Sequence, residues 1–167
     1  SAIPALNRQV LGGVSRAEYV TTSYEVFTSP RRVRFEEMEY AVPREHGLEA
    51  FERVRRLIDS LERPIGFPIE FRVLGADDVP LSTADGRDSC YIAVHVFRRT
   101  PSEEYFRGVE AIMDDYGGRP HWGKVHFQTS ATLAGRYPQW GRFQAARDRL
   151  DPNRRFANPY LATVLGP

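Results

Sequence analysis

The chain has 167 residues, enough for one domain with a real core, and its 41% hydrophobic and 27% charged content is that of a globular protein in water. A formal net charge of +1, with arginine and acidic residues interleaved, offers no electrostatic footprint for nucleic acid or an anionic membrane. The lone cysteine, Cys90, excludes an internal disulfide and fits a reducing, cytoplasmic setting; no stretch approaches the roughly 20 apolar residues of a membrane span, and Ser1-Ala2-Ile3 does not open a signal peptide.

Residues 1–30 are weakly periodic, with Gly12-Gly13 and Pro30, and read as a linker or peripheral segment that packs on an upstream domain. Without an initiator Met the chain is expected to be a piece of something longer, the domain proper running over 31–167. Val33 and Phe35 alternate in one phase and Met38, Tyr40 and Val42 in the other, which predicts a strand with a β-bulge at Glu36-Glu37, ended by Pro43. Leu48, Phe51, Val54, Leu57, Ile58 and Leu61 then recur as the stripe of an amphipathic helix over roughly residues 44–62. Its Glu49–Arg53, Glu52–Arg56 and Asp59–Arg63 pairs stand four apart on a solvated face.

Pro64, Gly66 and Pro68 break the chain before a short strand with Ile69, Phe71 and Val73 on one side and Glu70 and Arg72 on the other. The loop 75–89, with Asp77, Asp78, Asp85 and Asp88, lacks calcium-loop spacing and reads as a solvated turn region. In the next strand Cys90, Ile92, Val94 and Val96 alternate with Tyr91, Ala93, His95 and Phe97. Thr100-Pro101-Ser102-Glu103 has the form of a capping box with proline at the first helical position. The helix it opens buries Phe106, Val109, Ile112, Met113 and Tyr116 and stops at Gly117-Gly118. A last helix over roughly residues 139–150 ends at Asp151-Pro152, and the tail Phe156 to Leu161 packs back on the body. The order β-α-β-β-α predicts an α+β fold, an antiparallel sheet with helices packed on one face.

The reactive side chains concentrate in His121-Trp122-Gly123-Lys124-Val125-His126. Lys124 is the only lysine, and the other 22 of the 23 basic residues are arginine. A surviving ammonium in so arginine-rich a chain points to a position that needs a compact three-donor cation rather than a planar guanidinium. Glu70 and Arg72 share a strand face about 7 Å apart at a rise of ~3.3 Å per residue, as a surface ion pair or as the polar wall of a site. His95 reads as a half-buried core histidine unless other residues converge on it. His121 and His126 are five apart with no carboxylate or thiol beside them, so no metal site is expected. There is no serine or cysteine triad, and Gly12-Gly13 and Gly117-Gly118 lack the residues of a phosphate loop.

Three segments carry a resemblance: Arg32-Val33-Arg34-Phe35-Glu36-Glu37-Met38-Glu39-Tyr40, Gly118-Arg119-Pro120-His121-Trp122-Gly123-Lys124, and Leu150-Asp151-Pro152 with Phe156 and Asn158. Together they resemble the C-terminal half of the sugar-1,4-lactone oxidoreductases: gulonolactone, galactonolactone and arabinonolactone oxidases and dehydrogenases, with alditol oxidase as a cousin. The resemblance spans roughly residues 30–165 and implies the cap domain of a vanillyl-alcohol-oxidase-type flavoprotein, whose upstream domain binds FAD. It implies that Lys124, Arg72 and Glu70 are catalytic, that Glu70, Arg72, His95, Phe97 and Lys124 contact substrate, and that His121 and Lys124 lie near the flavin. Phe97 stands where alditol oxidases have a hydroxyl residue, which favours a lactone such as L-gulono- or D-arabinono-1,4-lactone. The implied chemistry is oxidation of a secondary alcohol by hydride transfer to flavin, with Lys124 and Arg72 stabilising the developing negative charge.

The implied partners are a sugar lactone and the chain's own upstream FAD-binding domain, and the resemblance allows membrane association of the full-length protein. Alone, lacking a phosphate loop, the chain is expected to be inactive, to expose an apolar patch and to self-associate. The alternatives are an alditol oxidase-like enzyme and, from a different class, a stand-alone carbohydrate-binding or interaction module using the Glu70, Arg72 and Lys124 face.

Overall fold

A computed structural model describes residues 20–28 and 32–167. Most of the linker expected over 1–30 therefore lies outside the described residues, apart from a short helix, α1 (Ser23–Phe27). Four antiparallel strands follow among the described residues: β1 (Phe35–Pro43), β2 (Glu70–Leu74), β3 (Ser89–Phe97) and the two-residue β4 (Arg119–Pro120), in the order β2-β3-β1-β4. Helices α2 (Gly47–Ser60, entered through a 3-10 turn at Arg44–His46) and α3 (Glu103–Asp114) cover one face of this sheet. This is the α+β arrangement that the order of elements predicts. The main core lies between these layers, where Met38, Tyr40 and Val42 of β1 and Ile92 and Val94 of β3 are fully buried against Val54, Phe106, Val109 and Met113.

The predicted bulge is absent. β1 pairs with β3 residue for residue from Phe35 opposite Phe97 to Pro43 opposite Ser89. Val33 lies before the strand, and Phe35 points away from the main core, its ring 5.5 Å from that of Phe67 and 5.3 Å from that of His95. The apparent phase flip was an apolar residue with aromatic company of its own on the opposite face.

Helix α2 buries the expected stripe except at its start: Val54 is fully buried, and Phe51, Leu57, Ile58 and, just past the helix end, Leu61 pack against the core. Leu48 is 73% exposed, while Gly47, Ala50 and Val54 face the sheet. A Cβ at Gly47 would lie 2.4 Å from Cys90 Sγ, so the close approach of helix and strand depends on the missing side chain. Gly47→Ala is expected to destabilise the domain by about 1–3 kcal/mol through overpacking, measured by urea unfolding. The surface charges also pair differently. Arg53 turns from Glu49 to Asp115 at the end of α3, at 2.6 Å, and Arg55 rather than Arg56 serves Glu52 and Asp59. A tertiary neighbour outcompetes the local partner.

Helix α3 starts without the predicted capping box. Ser102 Oγ donates to Glu36 Oε2 at 2.7 Å, tying the helix start to β1, and Pro101 stays outside the helix. Its end is as predicted, with Gly117 at φ 59° and the Gly118 amide donating to the Met113 carbonyl at 2.9 Å.

The loop between β2 and β3 is not a solvated turn region, since Ala84 and Asp85 are buried. Arg119 NH1 donates to the carbonyls of Thr83 and Asp85, at 3.2 and 2.7 Å, and Trp122 Nε1 donates to that of Leu81 at 2.9 Å. Leu81 joins a second, smaller core formed by Leu133, Tyr137 and Val164 with Trp122, Trp140 and Leu161. Its hydrophobic contribution comes from α4 (Ser130–Leu133), α5 (Trp140–Leu150) and α6 (Pro159–Leu165). The sequence reading did not separate α6 from the tail, although Asn158 caps it, Oδ1 accepting from the Leu161 amide at 2.9 Å, and Pro159 occupies the first turn. The tail packs back through Leu161, whereas Phe156 remains 80% exposed.

Candidate active site on the open face of the sheet

The face opposite the helices carries the alternate residues of the same strands: Glu37 and Glu39 on β1, Glu70 and Arg72 on β2, and Tyr91, Ala93 and His95 on β3. Antiparallel register places Glu70, Ala93 and Glu39 in one row and Arg72, Tyr91 and Ala41 in the next. Ala93 has no side chain to fill the middle of its row. Arg72 can therefore cross to Glu39, with NH2 at 2.5 Å from Oε1, while its Nε stays 3.1 Å from Glu70 Oε1.

Lys124 reaches the same carboxylate from the other edge. The amides of His121 and Val125 donate to the Glu39 and Glu37 carbonyls, each at 2.9 Å, and the Lys124 amide donates to the His121 carbonyl at 3.1 Å. The His-Trp-Gly-Lys segment is thus a tight turn hung on β1 at both ends. From it, Lys124 Nζ donates to Glu37 Oε1 at 2.5 Å and to Glu39 Oε2. Two carboxylates two residues apart on one strand suit a small ammonium with several rotatable donors. This is the physical reason for a lysine here.

Glu39 is 1% exposed, so its charge is buried and is balanced by the two cations it holds. Glu37 Oε1 also lies 3.2 Å from His95 Nε2. The imidazole stacks on Phe67 with ring centroids 5.3 Å apart, and its Nδ1 is buried without a hydrogen-bond partner. Glu37, Glu70 and His95 present possible metal-ligand atoms within 4.8 Å of one another, but Lys124 and Arg72 already occupy the two carboxylates.

Of the residues singled out from the sequence, Glu70, Arg72, His95 and Lys124 converge on this face. Phe97 lies at its end, 49% exposed and packed on Phe67 at 4.6 Å. His121 is exposed at the opposite side, on the rim of an open depression of about 480 Å3 lined also by Glu39, Arg72, Leu74, Thr83 and Tyr91. Cys90 faces the main core, where burial raises its thiol pKa, and Trp122 belongs to the second core. Glu37 and Glu39 were missed as site residues. Their signal is the alternation Glu37-Met38-Glu39-Tyr40, two acids in phase on a strand whose other side buries Met38, Tyr40 and Val42.

His126 is not part of this site. The Gln128 amide donates to its Nδ1 at 3.3 Å, so Nε2 carries the proton and donates to Tyr160 OH at 2.9 Å, which in turn donates to the Trp122 carbonyl. Burial lowers the His126 pKa from 6.5. A histidine buried neutral contributes stability that is fully present above its unfolded pKa and is lost as pH falls through its lower folded value. Wild type should therefore lose resistance to urea between pH 7.5 and 5.5, and His126→Gln should flatten that dependence.

The chain is thus an α+β domain with a buried carboxylate that holds two cations on the open face of its sheet. Residues 1–164 match the family model described as D-arabinono-1,4-lactone oxidase, and the chain belongs to this family. It is 57% identical over 167 residues to the L-gulono-1,4-lactone dehydrogenase of Mycobacterium tuberculosis, covering 100% of this chain and 39% of that protein. It is 34% identical over 154 residues to the L-gulonolactone oxidase of Bos taurus, covering 89% of this chain and 35% of the relative. A Streptomyces alditol oxidase is 35% identical over 130 residues, 76% of this chain and 31% of that protein. The chain thus spans well under half the length of these curated relatives.

Proposed function

We propose that the chain is the substrate domain of an FAD-dependent oxidoreductase that oxidises a secondary alcohol of a sugar 1,4-lactone, of the L-gulono or D-arabinono type. The observation that carries this reading is the placement of Lys124 and Arg72, both held by the buried Glu39 on the side of the sheet opposite α2 and α3. Family membership and the printed names of the relatives support the substrate class.

The residues fit the flavin this reading requires. Lys124 and the exposed His121 stand on the open side of the turn, with N–H donors suited to the electron-rich carbonyl edge of an isoalloxazine ring. When bound, the flavin would supply the two-electron acceptor for the hydride leaving the alcohol carbon.

In this mechanism the chain's own residues bind, orient and accept a proton. Lys124 Nζ and the Arg72 guanidinium hold the substrate oxygens on which negative charge grows, preplaced so that little reorganisation is needed in the transition state. Glu70, half exposed beside Arg72, accepts hydrogen bonds from neighbouring hydroxyls and takes the proton of the alcohol being oxidised. His95 and Glu37 form the end wall, and the Phe67–Phe97 pair limits the site beyond them.

The test joins this chain to a flavin-bearing portion and adds lactones and alditols without oxygen while the visible flavin absorbance is followed. Bleaching by a 1,4-lactone is the expected result. Bleaching by alditols alone would shift the reading to an alditol oxidase, and binding of sugar without bleaching would make the chain a binding module.

A further inference from the structure

We propose that the depression beside Arg72 is a subsite for the exocyclic hydroxyls of the lactone, read by the hydroxyl pair of Thr83 and Tyr91. This inference rests on the lactone reading given above and adds to it the part of the substrate that the domain distinguishes.

Tyr91 stands on the open face of β3, and its OH lies 2.6 Å from Thr83 Oγ1. One of the two hydroxyl protons joins the pair. The other remains free to donate, and lone pairs on both oxygens remain free to accept. Sugar hydroxyls are themselves donors and acceptors, so such a pair matches them whichever way each hydrogen points. The depression runs from this pair to Glu39 and Arg72, which places it next to the cations that hold the oxidised end. Leu74, about half exposed on the edge strand and in phase with Arg72, gives it apolar surface suited to the C–H faces of a sugar. His121 closes the far side; its Nδ1 is engaged by the Gly123 amide, which leaves Nε2 for a ligand.

Thr83 is held firmly where the proposal needs it. Its carbonyl accepts from Arg119, a buried guanidinium whose pKa burial lowers, and the carbonyl of Leu81 accepts from Trp122. Leu81 itself adopts φ 63°, a left-handed conformation that a leucine takes only under constraint from its surroundings. The Ser82 hydroxyl donates to Asp77 at 2.5 Å. A polar surface loop has no need of such anchoring, whereas a recognition wall does. From the strand side, the Arg72 guanidinium lies over the Tyr91 ring at 5.7 Å and fixes its orientation.

The experiment uses the chain joined to its flavin-bearing portion. It compares kcat/KM for a six-carbon 1,4-lactone, which has a two-carbon exocyclic tail, with that for a four-carbon 1,4-lactone, which has none. Tyr91→Phe keeps the ring under Arg72, and Thr83→Val keeps the shape of the side chain. Each should lower the six- to four-carbon ratio about five- to tenfold, the effect of one lost neutral hydrogen bond. Thr83→Ser, which keeps the hydroxyl, should preserve the ratio and decides the matter together with Tyr91→Phe if the valine variant does not fold. An unchanged ratio in Tyr91→Phe with normal wild-type turnover overturns the subsite and leaves the lactone reading standing. A wild-type flavin that no lactone reduces removes that reading, and the subsite with it.

Discussion

On the proposed mechanism, replacing Lys124 with methionine is expected to slow lactone-driven flavin reduction by about 10²- to 10³-fold, the cost of removing one preplaced donor from a developing oxyanion. Methionine keeps the unbranched length of the side chain and removes only the charge and its three donors. The surroundings tolerate the change, because Glu39 still has Arg72 and Glu37 still has His95 within reach. Flavin should stay bound, so anaerobic stopped-flow absorbance isolates the chemical step. A variant within about threefold of wild type would show that the ammonium serves the fold alone, and the transition-state role would pass to Arg72.

The largest effect on stability is expected from Glu39→Gln. The substitution is nearly isosteric, yet it removes the one buried charge that both Arg72 and Lys124 face. The amide also turns a donor toward one of those cations. Breaking a fully buried ion pair costs about 3–5 kcal/mol. Arg72 is half exposed and can rehydrate, so about 2–3 kcal/mol is the expected loss, read as a lower midpoint in urea. Glu70→Gln is the contrast. That carboxylate is half exposed, and its loss should cost under about 1 kcal/mol. Equal midpoints for the two variants would mean that Glu39 does not organise the face.

Much of this face was legible in the alternation of strand residues. A side-chain period of two put Tyr91, Ala93 and His95 opposite Cys90, Ile92 and Val94, and put Glu70 and Arg72 together, where the structure has them. The rarity of lysine directed attention to Lys124, and the geometry explains the choice of ammonium. What the sequence did not disclose depends on partners distant along the chain. Phe35 looked out of phase because Phe67 and His95, its ring neighbours, lie 32 and 60 residues away. Leu48 looked like core, but the sheet approaches α2 so closely at Cys90 that only a glycine fits there. The aspartates of the β2–β3 loop read as solvated because nothing local shows that Arg119, Trp122 and Gln139 will donate to that segment. Glu37 and Glu39 were visible as an in-phase acidic pair, but their importance lies in the cations delivered from β2 and from the turn after β4.

The second core joins two things that a sequence would keep apart. Trp122, one residue of the turn that presents Lys124, packs in the same small cluster as Leu81, which sits two residues before Thr83. Val164 and Leu161, from the last helix, complete that cluster, while the sheet and its covering helices are stabilised by a different set of residues. The loop that carries Thr83 and the turn that carries Lys124 therefore rest on the same small cluster. If Thr83 and Lys124 act as proposed, loosening of that cluster shifts specificity and rate together, even with the sheet intact. On the proposed roles, a change in substrate preference made through this loop is constrained by the position of the ammonium, and substitutions at Leu161 or Val164 can be felt at both.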